Sequence, residues 1–134
     1  MKPFSNLIEK LFGGAVEEIG GMWQDALRVR RLKRLVNHFR RVQEILDEVP
    51  SQPHRVSERV WVAVLEGASL EDEDVLQQKW ANLLANASLS RDGVPPAYAH
   101  ILPQLSLMEV KILDAMYRDV AFTKLIQLWP PSVW

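Results

Sequence analysis

Leu32-Lys33-Arg34-Leu35-Val36-Asn37-His38-Phe39-Arg40-Arg41-Val42-Gln43-Glu44-Ile45-Leu46 returns an apolar side chain every three or four positions. Leu32, Leu35, Val36, Phe39, Val42 and Leu46 therefore share one face of a helix; a strand, whose side chains alternate, would scatter them over both faces. The stripe extends backwards through Leu7, Ile8, Leu11, Phe12, Val16, Ile19, Trp23, Ala26 and Leu27. The spacing predicts one long N-terminal helix from about residue 14 to 48, preceded by a shorter helical turn or by an extension of the same helix. Gly13-Gly14 and Gly20-Gly21 work against its continuity, since an interior glycine costs ~1 kcal/mol relative to alanine.

Pro50-Ser51-Gln52-Pro53 ends this helix, because proline has no amide donor and disfavours helical geometry in the residue before it. A second helix is expected from about 54 to 67, with Val56, Val60, Trp61, Val64 and Leu65 inward and Gly67 as terminator. Ser69 with Asp72 has capping-box spacing, and Glu71, Asp72, Glu73 and Asp74 suit the positive end of a helix dipole, so a third helix is expected to start at Ser69. Its apolar face is Leu76, Trp80, Leu83, Leu84 and Ala87. Arg91-Asp92-Gly93-Val94-Pro95-Pro96 reads as a turn-rich connector. A short helix from about 97 to 102 follows, with Tyr98, Ile101 and Leu102. Ser106-Leu107-Met108-Glu109 is a second capping box, opening a helix with Val110, Ile112, Leu113, Met116 and Tyr117. Residues 121–134 read as a weakly structured tail.

No segment alternates for long enough to suggest a strand, and no repeat of 20 to 50 residues is visible. The expected architecture is all-α: a single domain, 1–134, built as a bundle of four to five helices with a long N-terminal helix. The 134 residues hold no cysteine, which removes disulfides, thiolate metal sites and a cysteine nucleophile and suits a reducing cytoplasm. No stretch approaches the ~18 apolar residues of a bilayer span, and Glu9, Lys10, Glu17 and Glu18 break up a signal-peptide core. A cytoplasmic protein is the expectation.

Reactive centres are hard to find. His38, His54 and His100 have no second ligand at metalloprotease spacing, and Leu35, Ser51 and Ala97 stand where the glutamates of a helical di-iron site would have to be. His54 and Glu58 have the spacing of one helical turn, but a surface or capping histidine is the simpler reading. The paired glycines neither follow a strand nor precede a Lys-Ser/Thr pair, and no Gly-x-Ser-x-Gly elbow is present. Glu71 to Asp74 lacks the spaced oxygens and glycine of a calcium loop. The sequence points to no catalytic, metal or cofactor site and to no small-molecule substrate.

Charge is the more informative feature. Net charge is -1, yet residues 1–60 hold 11 bases and 8 acids, whereas 61–134 hold 5 and 9. Arg28, Arg30, Arg31, Lys33, Arg34, Arg40 and Arg41 occur with no acid between Asp25 and Glu44. On the helical wheel Arg30, Lys33, Arg34, Arg40 and Arg41 lie opposite the apolar stripe. Two readings stand side by side. One is a solvated face paired with the acidic start of the third helix. The other is a contact surface for the phosphates of nucleic acid or acidic lipid, or for an acidic protein. A dedicated nucleic-acid role is disfavoured by the near-neutral total charge and the absence of a reading motif. Gly13, Gly14, Gly20 and Gly21, seven residues apart in pairs, would let a second helix approach closely, whether inside the chain, at a dimer seam or at a hinge. Trp129 and Trp134 in the tail suggest packing against another surface, inside this chain or on a partner.

Ala68-Ser69-Leu70-Glu71-Asp72-Glu73-Asp74-Val75-Leu76-Gln77-Gln78-Lys79-Trp80-Ala81-Asn82-Leu83-Leu84-Ala85-Asn86-Ala87 resembles the signature of the Abi-alpha family, a bacterial domain of unknown function found in abortive-infection proteins. Its core is an acidic helix start followed by Leu-Gln-x-x-Trp-Ala-x-Leu-Leu-Ala. Gly14-Ala15-Val16-Glu17-Glu18-Ile19-Gly20, leading to Asp25 and Leu27-Arg28, is similar to the family's upstream block. Leu105-Ser106 with Glu109 and Ile112-Leu113 is similar to its downstream block, so the resemblance covers about 12–115. Family members commonly continue past the point where this sequence ends; such a portion would be the place for a sensing or effector element. The resemblance implies anti-phage defence by abortive infection, without an assigned enzymatic activity. Trp80, Leu83 and Leu84 read as core, and Asn82 as an outward polar contact. The expectation is a non-enzymatic helical module that acts by protein-protein contact or as a homo-oligomer, the alternative being a binder of nucleic acid or an anionic membrane surface.

Overall fold

A computed structural model describes residues 4–13 and 28–119, with side chains from 30 onward in the second stretch. Six α-helices occupy the described residues: α1 (Ser5–Phe12), α2 (Arg28–Asp47), α3 (Glu58–Leu70), α4 (Asp74–Leu89), α5 (Ala97–Ile101) and α6 (Leu107–Arg118), with a 3-10 turn at Leu102–Gln104. No strand occurs among them. The fold is all-α, as the periodicity requires. The N-terminal turn is a helix in its own right, ended at Gly13, whose φ of 62° lies in the left-handed region that glycine tolerates. Of the long helix expected over 14–48, the described part is Arg28–Asp47; residues 14–27 lie outside the described residues. The chain divides into two compact units, Met1–Gln104 and Leu105–Trp134.

In the first unit, α2, α3 and α4 pack pairwise against one another. Val56, Val60, Trp61, Val64 and Leu65 are all buried, as are Leu76, Trp80, Leu84 and Ala87, so two of the expected apolar faces do pack inward. Burying each large side chain contributes roughly 1.5–3 kcal/mol. Helix α1 adds Leu7, Ile8, Leu11 and Phe12 to the same core. The ring of Phe12 contacts Trp61 at 5.1 Å between centroids, and Phe39 at 6.1 Å. The connector after α2 is pinned on both sides: the Val56 amide donates to the Leu11 carbonyl and the His54 amide to the Ser88 carbonyl. Helix α5 is held by Ala99, while Tyr98 and Ile101 are about half exposed.

Two boundaries differ from the sequence expectation. Gly67 does not end a helix; α3 runs on through it to Leu70. Ser69 does not start one; it is buried in the last turn of α3, and α4 begins at Asp74.

In the second unit, the box at Ser106 forms as expected. The Glu109 amide donates to Ser106 Oγ and the Ser106 amide to Glu109 Oε2. Of the apolar residues of α6, Val110 is buried while Met108, Ile112, Leu113, Met116 and Tyr117 are exposed. The tail over 121–134 lies outside the described residues.

Candidate interaction surface

The basic face of α2 is split by the way the helix docks. Because α2 meets both α3 and α4, its buried side takes in His38 beside Leu35, Phe39, Val42 and Leu46 and leaves Leu32 and Val36 to solvent. That rotation swings three of the arginines onto the corner between α3 and α4. Arg31 donates from Nε and Nη2 to Ser69 Oγ at 3.1 and 2.9 Å. Ser69 Oγ in turn donates to the Glu66 carbonyl. Arg34 donates to the Ser69 carbonyl and pairs with Asp72. Arg41 donates to Gln78 Oε1 at 2.8 Å and pairs with Asp74. These arginines thus hold the acidic start of α4, the pairing that was one of the two sequence readings.

The other bases are placed differently. Arg30, Lys33 and Arg40 are exposed, and Arg40 donates to Asn37 Oδ1 one turn back on the same helix. Arg28 opens α2, and its side chain lies outside the described residues. So the seven bases do not act as one sheet of charge. Three fasten the fold, and the outward cationic stripe is Arg30, Lys33 and Arg40, bordered by the exposed Leu32 and Val36.

The tryptophan signature is also inward. Gln77 is buried, and its Nε2 donates to the carbonyls of Ala68 and Glu71, the end of α3, at 2.7 and 2.8 Å. Trp80 fills the notch left by Gly67. Asn82 is half-buried and accepts a hydrogen bond from Gln78 Nε2, one turn back in α4. Gly13 is a helix end, buried under the Arg55 guanidinium, and not part of a helical seam. Gly14, Gly20, Gly21, Trp129 and Trp134 lie outside the described residues.

His38 lies in the core. It is wholly buried, its ring 5.6 Å from that of Phe39, and neither ring nitrogen has a partner. Burial, with the Arg41 guanidinium nearby, lowers its pKa to about 3, so the ring is neutral. A lone histidine among apolar neighbours carries no sequence signal of burial. His54 is exposed in the non-helical connector, so its spacing to Glu58 is not a helical turn. His100 is exposed on α5.

Sequence reasoning missed a groove of about 560 Å³ between α3 and α5. Half-buried Val62 and Ala63 form its floor, and the exposed Glu58, Glu66, Arg59 and His100 stand around it. One wall was legible, since Glu58, Val62 and Glu66 recur every fourth residue and so share one face of a helix.

Among the described residues no three histidine or acidic side chains are grouped to hold a metal ion. No described helix is long and apolar enough to cross a membrane. No curated protein and no solved structure matches the chain. Residues 28–129 match the family described as abortive infection alpha, beginning later and ending further along than the resemblance in the sequence suggested. The match takes in α2 through α6 and covers well over half of the sequence, and the chain therefore belongs to the abortive infection alpha family.

Proposed function

We propose that this chain is a non-enzymatic helical module of bacterial abortive infection, working in the cytoplasm through protein-protein contact or self-association. Family membership supports the defence role. The contact mode is supported by where the side chains are spent. The signature residues Gln77 and Trp80 and three of the arginines are consumed by the fold, whereas Met108, Ile112, Leu113, Met116 and Tyr117 of α6 are left exposed. Large exposed apolar side chains close together mark interaction surfaces in soluble proteins.

Phage challenge of cells carrying the gene tests this reading. Wild-type protein should lower plaque formation, and Met108→Ser with Ile112→Ser and Met116→Ser should abolish protection while circular dichroism stays helical. Absence of protection by the wild type refutes the defence role. Full protection by a folded triple variant refutes contact through α6.

A second reading, binding of nucleic acid or acidic lipid, is favoured by the exposed stripe Arg30, Lys33 and Arg40. It predicts binding to duplex DNA or acidic vesicles that falls steeply with salt. Salt-independent binding would count against it.

A further inference from the structure

We propose that the outward stripe of α2 in one copy of this chain seats in the α3–α5 groove of a second copy. This inference rests on the self-association reading above and names the two surfaces that meet.

The part of that stripe used is Lys33 and Arg40, with Val36 between them and Glu44 one turn beyond Arg40; all four are exposed. Lys33 and Arg40 are separated by about 10 Å along the axis at a rise of 1.5 Å per residue. The groove offers Glu58, Val62 and Glu66, its two carboxylates about 12 Å apart by the same rise, with Ala63 beside Val62. Each surface is thus a pair of like charges flanking an apolar centre, and the two pairs are opposite in sign and nearly equal in span. Laid antiparallel, Lys33 meets Glu66, Val36 meets Val62 and Arg40 meets Glu58. Glu44 then falls about 6 Å beyond Glu58, past the end of the groove.

Within the chain Arg31, Arg34 and Arg41 already have partners on the α3–α4 corner, whereas Arg30 stays exposed beside Lys33 and Arg40. Lys33, Glu58 and Glu66 form no ion pair among the described residues. Stripe and groove are different patches of one chain, so the contact is heterologous and builds a ring or an open chain of copies.

The test is sedimentation equilibrium of the full chain. Wild type should exceed 15.4 kDa in a concentration-dependent way, with the mass falling as salt is added. Lys33→Glu with Arg40→Glu, and separately Glu58→Lys with Glu66→Lys, should each weaken association by roughly tenfold or more. Mixing the two variants should restore it, because each supplies the charge the other has lost. All four positions are exposed, so helicity should be unchanged. Association that survives in both variants refutes this interface and leaves self-association standing. A wild-type chain that stays at 15.4 kDa refutes both. So does a monomer that uses Lys33 and Arg40 to bind a DNA duplex or a phosphatidylglycerol vesicle.

Discussion

The indole of Trp80 occupies the space that a side chain at Gly67 would need. A β-carbon built on Gly67 falls 2.2 Å from Trp80 Cζ2 and 2.3 Å from Cη2, far inside van der Waals contact. Gly67 is therefore the notch that lets α3 and α4 close on each other. The most specific part of the family signature is a packing device, with Gln77 capping the carbonyls of Ala68 and Glu71 one turn before it.

Gly67→Ala should destabilise the protein by about 1–3 kcal/mol, the usual cost of an overpacked core. Alanine's better helix propensity offsets up to ~1 kcal/mol of that. Urea unfolding should show the midpoint falling. The same substitution in a Trp80→Leu background should cost less, because the clashing ring is gone. Equal costs in both backgrounds would mean that Gly67 is tolerated for some other reason.

The helices were readable because their apolar residues recur at helical spacing, and the inward set from Val56 to Leu65 is buried throughout. What the spacing does not carry is which tertiary partner wins. Ser69-x-x-Asp72 and Ser106-x-x-Glu109 look alike in one dimension, yet only the second caps a helix. At Ser69 the Arg31 guanidinium and the Glu66 carbonyl claim the hydroxyl, and α3 runs through the site. Gly67 reads as a terminator because a sequence does not display the indole that presses on it. The basic face was visible, but its division into fastening and outward arginines follows from α2 docking on two helices at once. Seeing the groove required Pro96 and His100 to be brought beside α3, a contact no local pattern announces.

The arginine clamp should prove strong at Ser69 and weak at its acids. Asp72 and Asp74 are about 77% and 84% exposed, so Asp72→Asn and Asp74→Asn should each cost less than about 1 kcal/mol, and less still in high salt. Ser69→Val removes the acceptor of both Arg31 bonds inside the fold and should cost about 1–3 kcal/mol. Thermal or urea unfolding of the three variants side by side decides the ranking. The reverse order would make the ion pairs the dominant fastening.

His38 should make the fold acid-sensitive. Its imidazole protonates near 6.5 in the unfolded chain but only near 3 in the folded one, so below about pH 6.5 protons favour unfolding. The contribution of this residue is constant above that pH and declines as the pH falls toward 3, by at most ~1.4 kcal/mol per pH unit. His38→Leu should flatten the decline between pH 6.5 and 5 and should not weaken the protein at neutral pH, because two unpartnered ring nitrogens leave the core. Parallel pH profiles for wild type and variant would show that His38 is not the group responsible.

Gln77 ties the end of α3 to α4 through a single amide, which allows its chemistry to be separated from its shape. Gln77→Leu keeps the volume but strips both donors from the Ala68 and Glu71 carbonyls, and should cost about 1–3 kcal/mol. Gln77→Glu should be worse at neutral pH, since it sets a buried carboxylate against two carbonyl oxygens. Protonation turns that carboxyl back into a donor, so the penalty relative to wild type at the same pH should shrink as the solution is acidified. Leucine carries no such proton, and its penalty should not change with pH. A glutamate variant as stable as wild type at pH 7 would mean that the amide donors do not hold the corner between α3 and α4.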